Sequence, residues 1–162
     1  MHRYFKVVVL VLLVTLSLQQ VAFATNTTQP RKPTEGVASL DPKHGSSLDT
    51  EGITTESIGL ITGYGCSIDN KGSSLFLSGT TTASYIVEKV SLTLYIQKWD
   101  STKWVDVKSF SYNSFNAKSI TDGDYIYSFD RQSYYRTRAV HYAKDGLETD
   151  TQNSESSYIY VN

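Results

Sequence analysis

The sequence predicts an all-β fold, an antiparallel two-sheet sandwich of about seven strands. Three observations predict it. Apolar residues recur at every second position, not at the 3.6 spacing of a helix, as in Val90, Leu92, Leu94 and Ile96. Turn-forming residues punctuate the chain at short intervals, as in Asp69-Asn70-Lys71-Gly72 and Asp145-Gly146. From Glu56 onward the chain contains no proline and is rich in Thr, Val, Ile and Tyr, the residues that suit a pleated surface.

Two segments precede that region. His2, Arg3 and Lys6 give a basic start, and Val7 to Leu18 form an apolar run softened by Thr15 and Ser17. Ala22 and Ala24 supply the small residues a signal peptidase requires, so residues 1–24 are expected to be a secretory signal peptide cut after Ala24. The rival is an uncleaved anchor, but the run falls short of the roughly 20 apolar residues that cross a bilayer. Gln19-Gln20 also interrupts it. The only cysteine is Cys66, so no lipid-attachment thiol stands at the cleavage point, and no transmembrane anchor is expected after cleavage. Residues 25–55 hold all three prolines and no aromatic residue. Such a stretch buries too little apolar surface to offset its ordering entropy, so a flexible spacer is expected there, with room for a short first strand near its end. Asn26-Thr27-Thr28 is a glycosylation sequon, expected to be unused.

The domain is expected over 56–162, long enough for one independent core. A strand over 58–68 leads through Asp69–Gly72 to Leu75-Phe76-Leu77-Ser78. Val90 to Gln97 alternates cleanly and is expected to be half buried. Trp99 to Trp104 makes a turn, and Val105 and Val107 then alternate with Trp104, Asp106 and Lys108. Asp122-Gly123-Asp124 reads as turn chemistry before a strand at Tyr125 to Phe129. A strand over Ser133 to Tyr142 ends at Asp145-Gly146, a strong hairpin signal, and a last strand lies near Ser157 to Val161. This strand set gives the sandwich an immunoglobulin or fibronectin type III outline. Tyr135 opens the penultimate strand with Thr137 and Ala139 on its own face, which resembles the tyrosine corner of such folds. Its hydroxyl would then bond backbone in the preceding crossover.

Tyr95-Ile96-Gln97-Lys98-Trp99, then Lys103-Trp104-Val105-Asp106-Val107, Tyr134 to Tyr142, and Glu155-Ser156-Ser157-Tyr158 together resemble a family of small secreted proteins of Gram-positive bacteria whose function is unknown. The resemblance covers about residues 57–162. It implies an exported, single-domain β-sandwich and carries over no catalytic residue.

Charge and motif content exclude several activities. The formal net charge is −1, and removal of Arg3 and Lys6 with the leader makes the remainder more acidic. Nucleic-acid binding needs a clustered basic excess, so no such partner is expected. One cysteine forms no internal disulfide, and Cys66 is read as a small buried strand residue. His44 and His141 are far apart with no ligand-spaced Cys or acid beside them, so no metal or other cofactor is expected. His141 reads as a buried, hydrogen-bonded histidine. No Gly-x-Ser-x-Gly elbow occurs, and nothing selects Cys66 with His141, or Asp106 with Asp124, as a catalytic pair. The chain is therefore expected not to be an enzyme, and a hydrolase would have to work without a motif.

The aromatic residues carry the functional expectation. Alternation places Tyr95, Trp104, Arg136 and Arg138 on the outer side of neighbouring strands, a combination suited to sugar rings and glycan carboxylates. The alternative is ordinary cross-strand pairing on a solvated sheet. Trp99 and Tyr135 are assigned structural roles, and Trp104 has the option of packing with Trp99 at the hairpin's end. The expected protein is an extracellular, non-catalytic binding module, with cell-envelope polysaccharide or a surface protein as partner. An exported antimicrobial or toxin-like effector is the competing expectation.

Overall fold

The computed structural model describes residues 30–49 and 59–162. The expected signal peptide lies outside them, as do residues 25–29 and 50–55 of the expected spacer. The strands are β1 (His44–Ser46), β2 (Ile61–Asn70), β3 (Leu75–Trp99), β4 (Trp104–Ile126), β5 (Ser133–Asp145), β6 (Glu148–Glu155) and β7 (Ile159–Val161). A single 3-10 turn, Ser47–Asp49, follows β1, and the described residues contain no α-helix. Every strand pairing is antiparallel. The seven strands form one sheet with the path β1-β2-β3-β5-β6, where β4 adds to β3 and β7 adds to β5.

β3 organises this sheet. Burial alternates on either side of an exposed break, so that Leu75 and Leu77 before it and Leu92, Leu94 and Ile96 after it are all buried. Its first part pairs with β2 and its last part with β5, while β4 follows its other edge along nearly the whole length. Between Thr82 and Val87 the register with β4 shifts, and Ser84, Tyr85 and Ile86 stand exposed. Extra residues in one strand bend it and raise its twist. The bend carries β2 over the other half of the sheet, where it packs against β5 and β6 without a ladder to either, tied to them only by side-chain bonds such as the Thr137 hydroxyl to the Ser67 carbonyl and the Ile61 amide to Asp150. Cys66 and Ile68 of β2 meet Leu92, Leu94, Tyr135 and Ala139 in the main core. A second cluster gathers Leu60, Ile61, Ala83, Val87, Val90 and Ala143.

The curl brings the first strand to the end of the chain. The Ser157 amide donates to the Ser46 carbonyl at 3.0 Å, and the Ser46 amide donates to Ser157 Oγ at 3.1 Å. Gly45 permits this approach, since a Cβ there would lie 2.2 Å from the Ser157 carbonyl oxygen. Further out, Tyr158 donates its amide to the Val37 carbonyl and accepts the Ser39 amide. Residues 37–46 of the expected spacer are thus bonded to the domain. Their backbone groups find partners on strands made elsewhere in the chain, which local composition does not reveal.

Three further differences have physical causes. Asp122-Gly123-Asp124 is not a turn but part of β4, paired with Leu77, Ser78 and Gly79 of β3. A long partner strand supplies the ladder, and this overrides the local turn preference. β6 reads Glu148-Thr149-Asp150-Thr151-Gln152-Asn153-Ser154-Glu155, with no apolar residue to alternate. It forms because the two-residue turn at Gly146-Leu147 folds it back on β5, with Asp145 opposite Glu148. Val105 and Val107 do not face a core and are 39% and 56% exposed, because the β3–β4 hairpin extends past the packed interior.

Candidate functional site

The register places the four expected surface residues on one face. Arg138 lies opposite Tyr95, Arg136 opposite Gln97, Gln97 opposite Asp106, and Trp99 opposite Trp104. The Arg138 guanidinium sits 3.9 Å over the Tyr95 ring, and the Arg136 guanidinium 4.6 Å over Trp104. Cation–aromatic stacking fixes both arginines against the sheet.

Arg136 differs from its expected exposure and is only 6% accessible. Its Nε donates to Gln97 Oε1 at 2.7 Å, and its two terminal nitrogens donate to the Glu155 carboxylate at 2.6 and 2.9 Å. This bidentate pairing engages the planar fork within the protein. Burial pulls the Arg136 pKa down against the opposing pull of Glu155. Arg138 gives one N–H to Asp106 Oδ2 at 2.8 Å and keeps about a quarter of its side chain open (26%). Asp106 also accepts from Gln97 at 2.7 Å. Burial pushes the Asp106 pKa up, but the bonds from Arg138 and Gln97 outweigh it and hold the carboxyl below its usual range. The face is thus a pre-formed network, and Gln97, Asp106 and Glu155 are the members that sequence reading missed. Polar residues on a strand carry no periodic signal that marks them as partners.

The aromatic residues extend this face toward the chain's end. Trp99 and Trp104 meet edge-on at 5.3 Å, and Trp104 lies 5.8 Å from Tyr158. Tyr158 contacts Tyr134 at 5.7 Å, and Tyr134 contacts Tyr160 at 4.8 Å. Trp99, Tyr158, Gln97 and Arg136 are buried, Trp104, Tyr134, Tyr160 and Arg138 stay half open, and the carboxylates of Asp106 and Glu155 are exposed. The segment 35–38 lies alongside, with Trp104 Nε1 donating to the Glu35 carbonyl at 3.1 Å. Two grooves flank the row. One, of about 200 Å³, runs between Tyr134, Tyr158 and Tyr160 and the segment carrying Lys32, Leu40 and Pro42. The other, of about 440 Å³, lies at the hairpin end beside Trp99.

Tyr135 has a different task. Its hydroxyl donates to the Asp130 carbonyl at 3.2 Å and accepts the Asp130 amide at 2.9 Å. That ties the crossover before β5 to the strand's first turn. Burial raises the Tyr135 phenol pKa.

The remaining titratable groups are dispersed. His141 is fully buried between Thr81 and Ser154, at 2.8 Å from each hydroxyl. Thr81 spends its one proton on the Ser91 carbonyl at 3.2 Å, so it accepts from His141 Nδ1–H, and Nε2 accepts from Ser154. Ser154 and His141 have the bond of a nucleophile and its base, but a threonine stands where an orienting acid would be needed, and all three are buried. Cys66 is buried on β2 and bonds the Thr137 carbonyl at 3.5 Å, away from His141's hydroxyl partners. Asp106 and Asp124 lie near opposite ends of β4, paired with Gln97 and Leu77 respectively. Asp124 and Asp122 instead act on Tyr112, whose phenol is pushed up to about 12 by burial first and by these carboxylates second. Among the described residues no group of three or more His, Cys, Asp or Glu is placed to hold a metal ion. No helix among them is long and apolar enough to cross a membrane.

No family model, curated protein or solved structure matches the chain.

Proposed function

We propose that this chain is an exported, non-catalytic β-module that binds cell-envelope polysaccharide. The observation that carries the reading is the half-open run of Trp104, Tyr134 and Tyr160, backed by buried Trp99 and Tyr158 and flanked by two grooves. Aromatic faces held rigid by their neighbours suit the apolar faces of sugar rings, because little side-chain freedom is lost on contact. The arginine network under the row serves as its support. The leader-like residues 1–24 and the resemblance to small secreted Gram-positive proteins favour the extracellular setting.

The finer fold reading belongs to the same proposal. The curled sheet is a variant of the two-layer immunoglobulin or fibronectin type III sandwich. Support comes from β2 packing face to face with β5 and β6, and from the Tyr135 tie to the Asp130 backbone.

Sedimentation with purified Gram-positive cell walls tests the binding reading. The protein is expected in the pellet, and a Tyr134→Ala/Tyr160→Ala variant is expected to bind at least about tenfold more weakly, the equivalent of about 1.4 kcal/mol. A wild-type protein that stays in the supernatant, or a variant that sediments equally well, would overturn it.

A further inference from the structure

Residues 30–42, expected to belong to a flexible spacer, lie across the aromatic row. The Glu35 carbonyl accepts Trp104 Nε1–H at 3.1 Å. The Val37 carbonyl accepts the Tyr158 amide at 2.8 Å, and the Ser39 amide donates to the Tyr158 carbonyl at 2.9 Å. Gly36 stands between the first two of these carbonyls, with φ +85°. A Cβ on it would lie 3.2 Å from Arg136 Nη1 and 3.7 Å from both Trp104 Nε1 and the Tyr158 ring. The backbone itself therefore rests on the point where Trp104, Arg136 and Tyr158 meet. The left-handed φ and this close approach both call for glycine.

The same segment walls both grooves. Pro30 lines the hairpin-end groove, and Lys32, Leu40 and Pro42 line the groove beside Tyr134, Tyr158 and Tyr160. Its hold is light. Pro33 is the only buried residue from 31 to 42, while Val37 and Leu40 are exposed. Among the described residues, the three bonds above are the only hydrogen bonds that join 30–42 to residues beyond 46. Each such bond contributes little net stability, because water replaces it when it breaks. A segment with so few buried contacts opens locally far more readily than the domain unfolds.

Resting on the polysaccharide reading, we infer that residues 30–42 are an autoinhibitory strap, which occupies the centre of the binding row and competes with the polysaccharide for Trp104 and Tyr158. Lifting the strap frees the Trp104 indole N–H and the Tyr158 backbone N–H and carbonyl, donors and an acceptor that sugar hydroxyls satisfy. It also uncovers the Tyr158 ring between Trp104 and Tyr134, so that the half-open residues become one continuous aromatic face. The apparent affinity is the intrinsic affinity scaled down by the fraction of molecules whose strap is off. The prolines favour reclosing, because their fixed φ leaves less freedom to lose.

The test follows hydrogen exchange and affinity in the purified protein during titration with soluble Gram-positive wall polysaccharide. The Ser39 amide reaches Tyr158 from the strap side, so a polysaccharide that displaces the strap exposes this amide to water. In wild type its exchange should quicken at least about tenfold at saturation. Gly36→Val forces a branched side chain into φ +85° against Arg136, and should bind the polysaccharide at least about fivefold more tightly. Ser39→Pro removes the amide bonded to Tyr158, loosens the strap from its other end, and should tighten binding likewise. Both positions lie outside all seven strands, so the variants are expected to unfold in urea at the wild-type midpoint. Ser39 exchange that is unchanged or slowed at saturation, or affinity that is unchanged or lower in both variants, would overturn the strap. If the wild-type protein still sediments with cell walls, that failure falls on the strap alone. Wild type and both variants all remaining in the supernatant would overturn the binding reading itself.

Discussion

Replacing Leu94 with alanine is expected to cost the domain about 3–5 kcal/mol, at the upper end for a buried leucine. Leu94 is fully buried in the second half of β3, between Phe110 of β4 and Ala139 of β5. The cost of such a truncation depends on whether neighbours collapse into the space. Here one neighbour has nothing to offer, because a Cβ on Gly79 would lie 2.9 Å from the Leu94 side chain and 3.1 Å from that of Leu92. Gly79 leaves room for the two leucines and for the Gly65 carbonyl oxygen, 3.1 Å from the same point. Gly79→Ala alone should therefore overpack the core and destabilise by about 1–3 kcal/mol. Combined with Leu94→Ala, the added methyl fills part of the vacated volume. The double variant should be more stable than the sum of the singles by at least about 1 kcal/mol, measured by urea unfolding. Simple additivity would contradict this packing account.

Acidification is expected to remove about 2–3 kcal/mol through His141 alone between near pH 7 and about pH 4.5. Burial lowers the His141 pKa from 6.5 to about 4 in the folded protein. Above 6.5 the imidazole is neutral in both folded and unfolded chains, so its contribution is fully present. Below that value the unfolded chain takes up a proton that the folded one refuses, and stability falls until the folded pKa is reached. The groups facing His141 are the Thr81 and Ser154 hydroxyls and the Tyr64 ring, none of which offers a carboxylate to hold an imidazolium. Urea unfolding at several pH values should give a steep decline for wild type and a flatter one for His141→Gln over this window. Parallel slopes would show that His141 is not the group responsible.

Much of the fold was legible where burial is one-sided. The alternation at Val90–Ile96 placed the second half of β3, and Asp145-Gly146 placed the β5–β6 turn. Legibility failed where the signal is not local. β6 carries no apolar residue and is held by its partner strand. The middle of β4 alternates aromatic and small polar residues on a strand that is open on much of both faces, so its period carries little hydrophobic contrast. β1 and its neighbours at 37–39 bond to residues more than a hundred positions away. In the candidate site, Tyr95, Trp104, Arg136 and Arg138 were found because aromatic and arginine side chains on alternating positions stand out. Their partners Gln97, Asp106 and Glu155 did not stand out, and without them the burial of Arg136 could not be foreseen.

The binding account is tested most directly by chemical-shift mapping of the labelled protein during titration with soluble Gram-positive wall polysaccharide. The account predicts that perturbed amides and indoles gather at residues 98–107 around the hairpin and at Tyr134, Tyr158 and Tyr160. Saturation without any perturbation there, or shifts confined to the exposed bulge at Ser84, Tyr85 and Ile86, would contradict it.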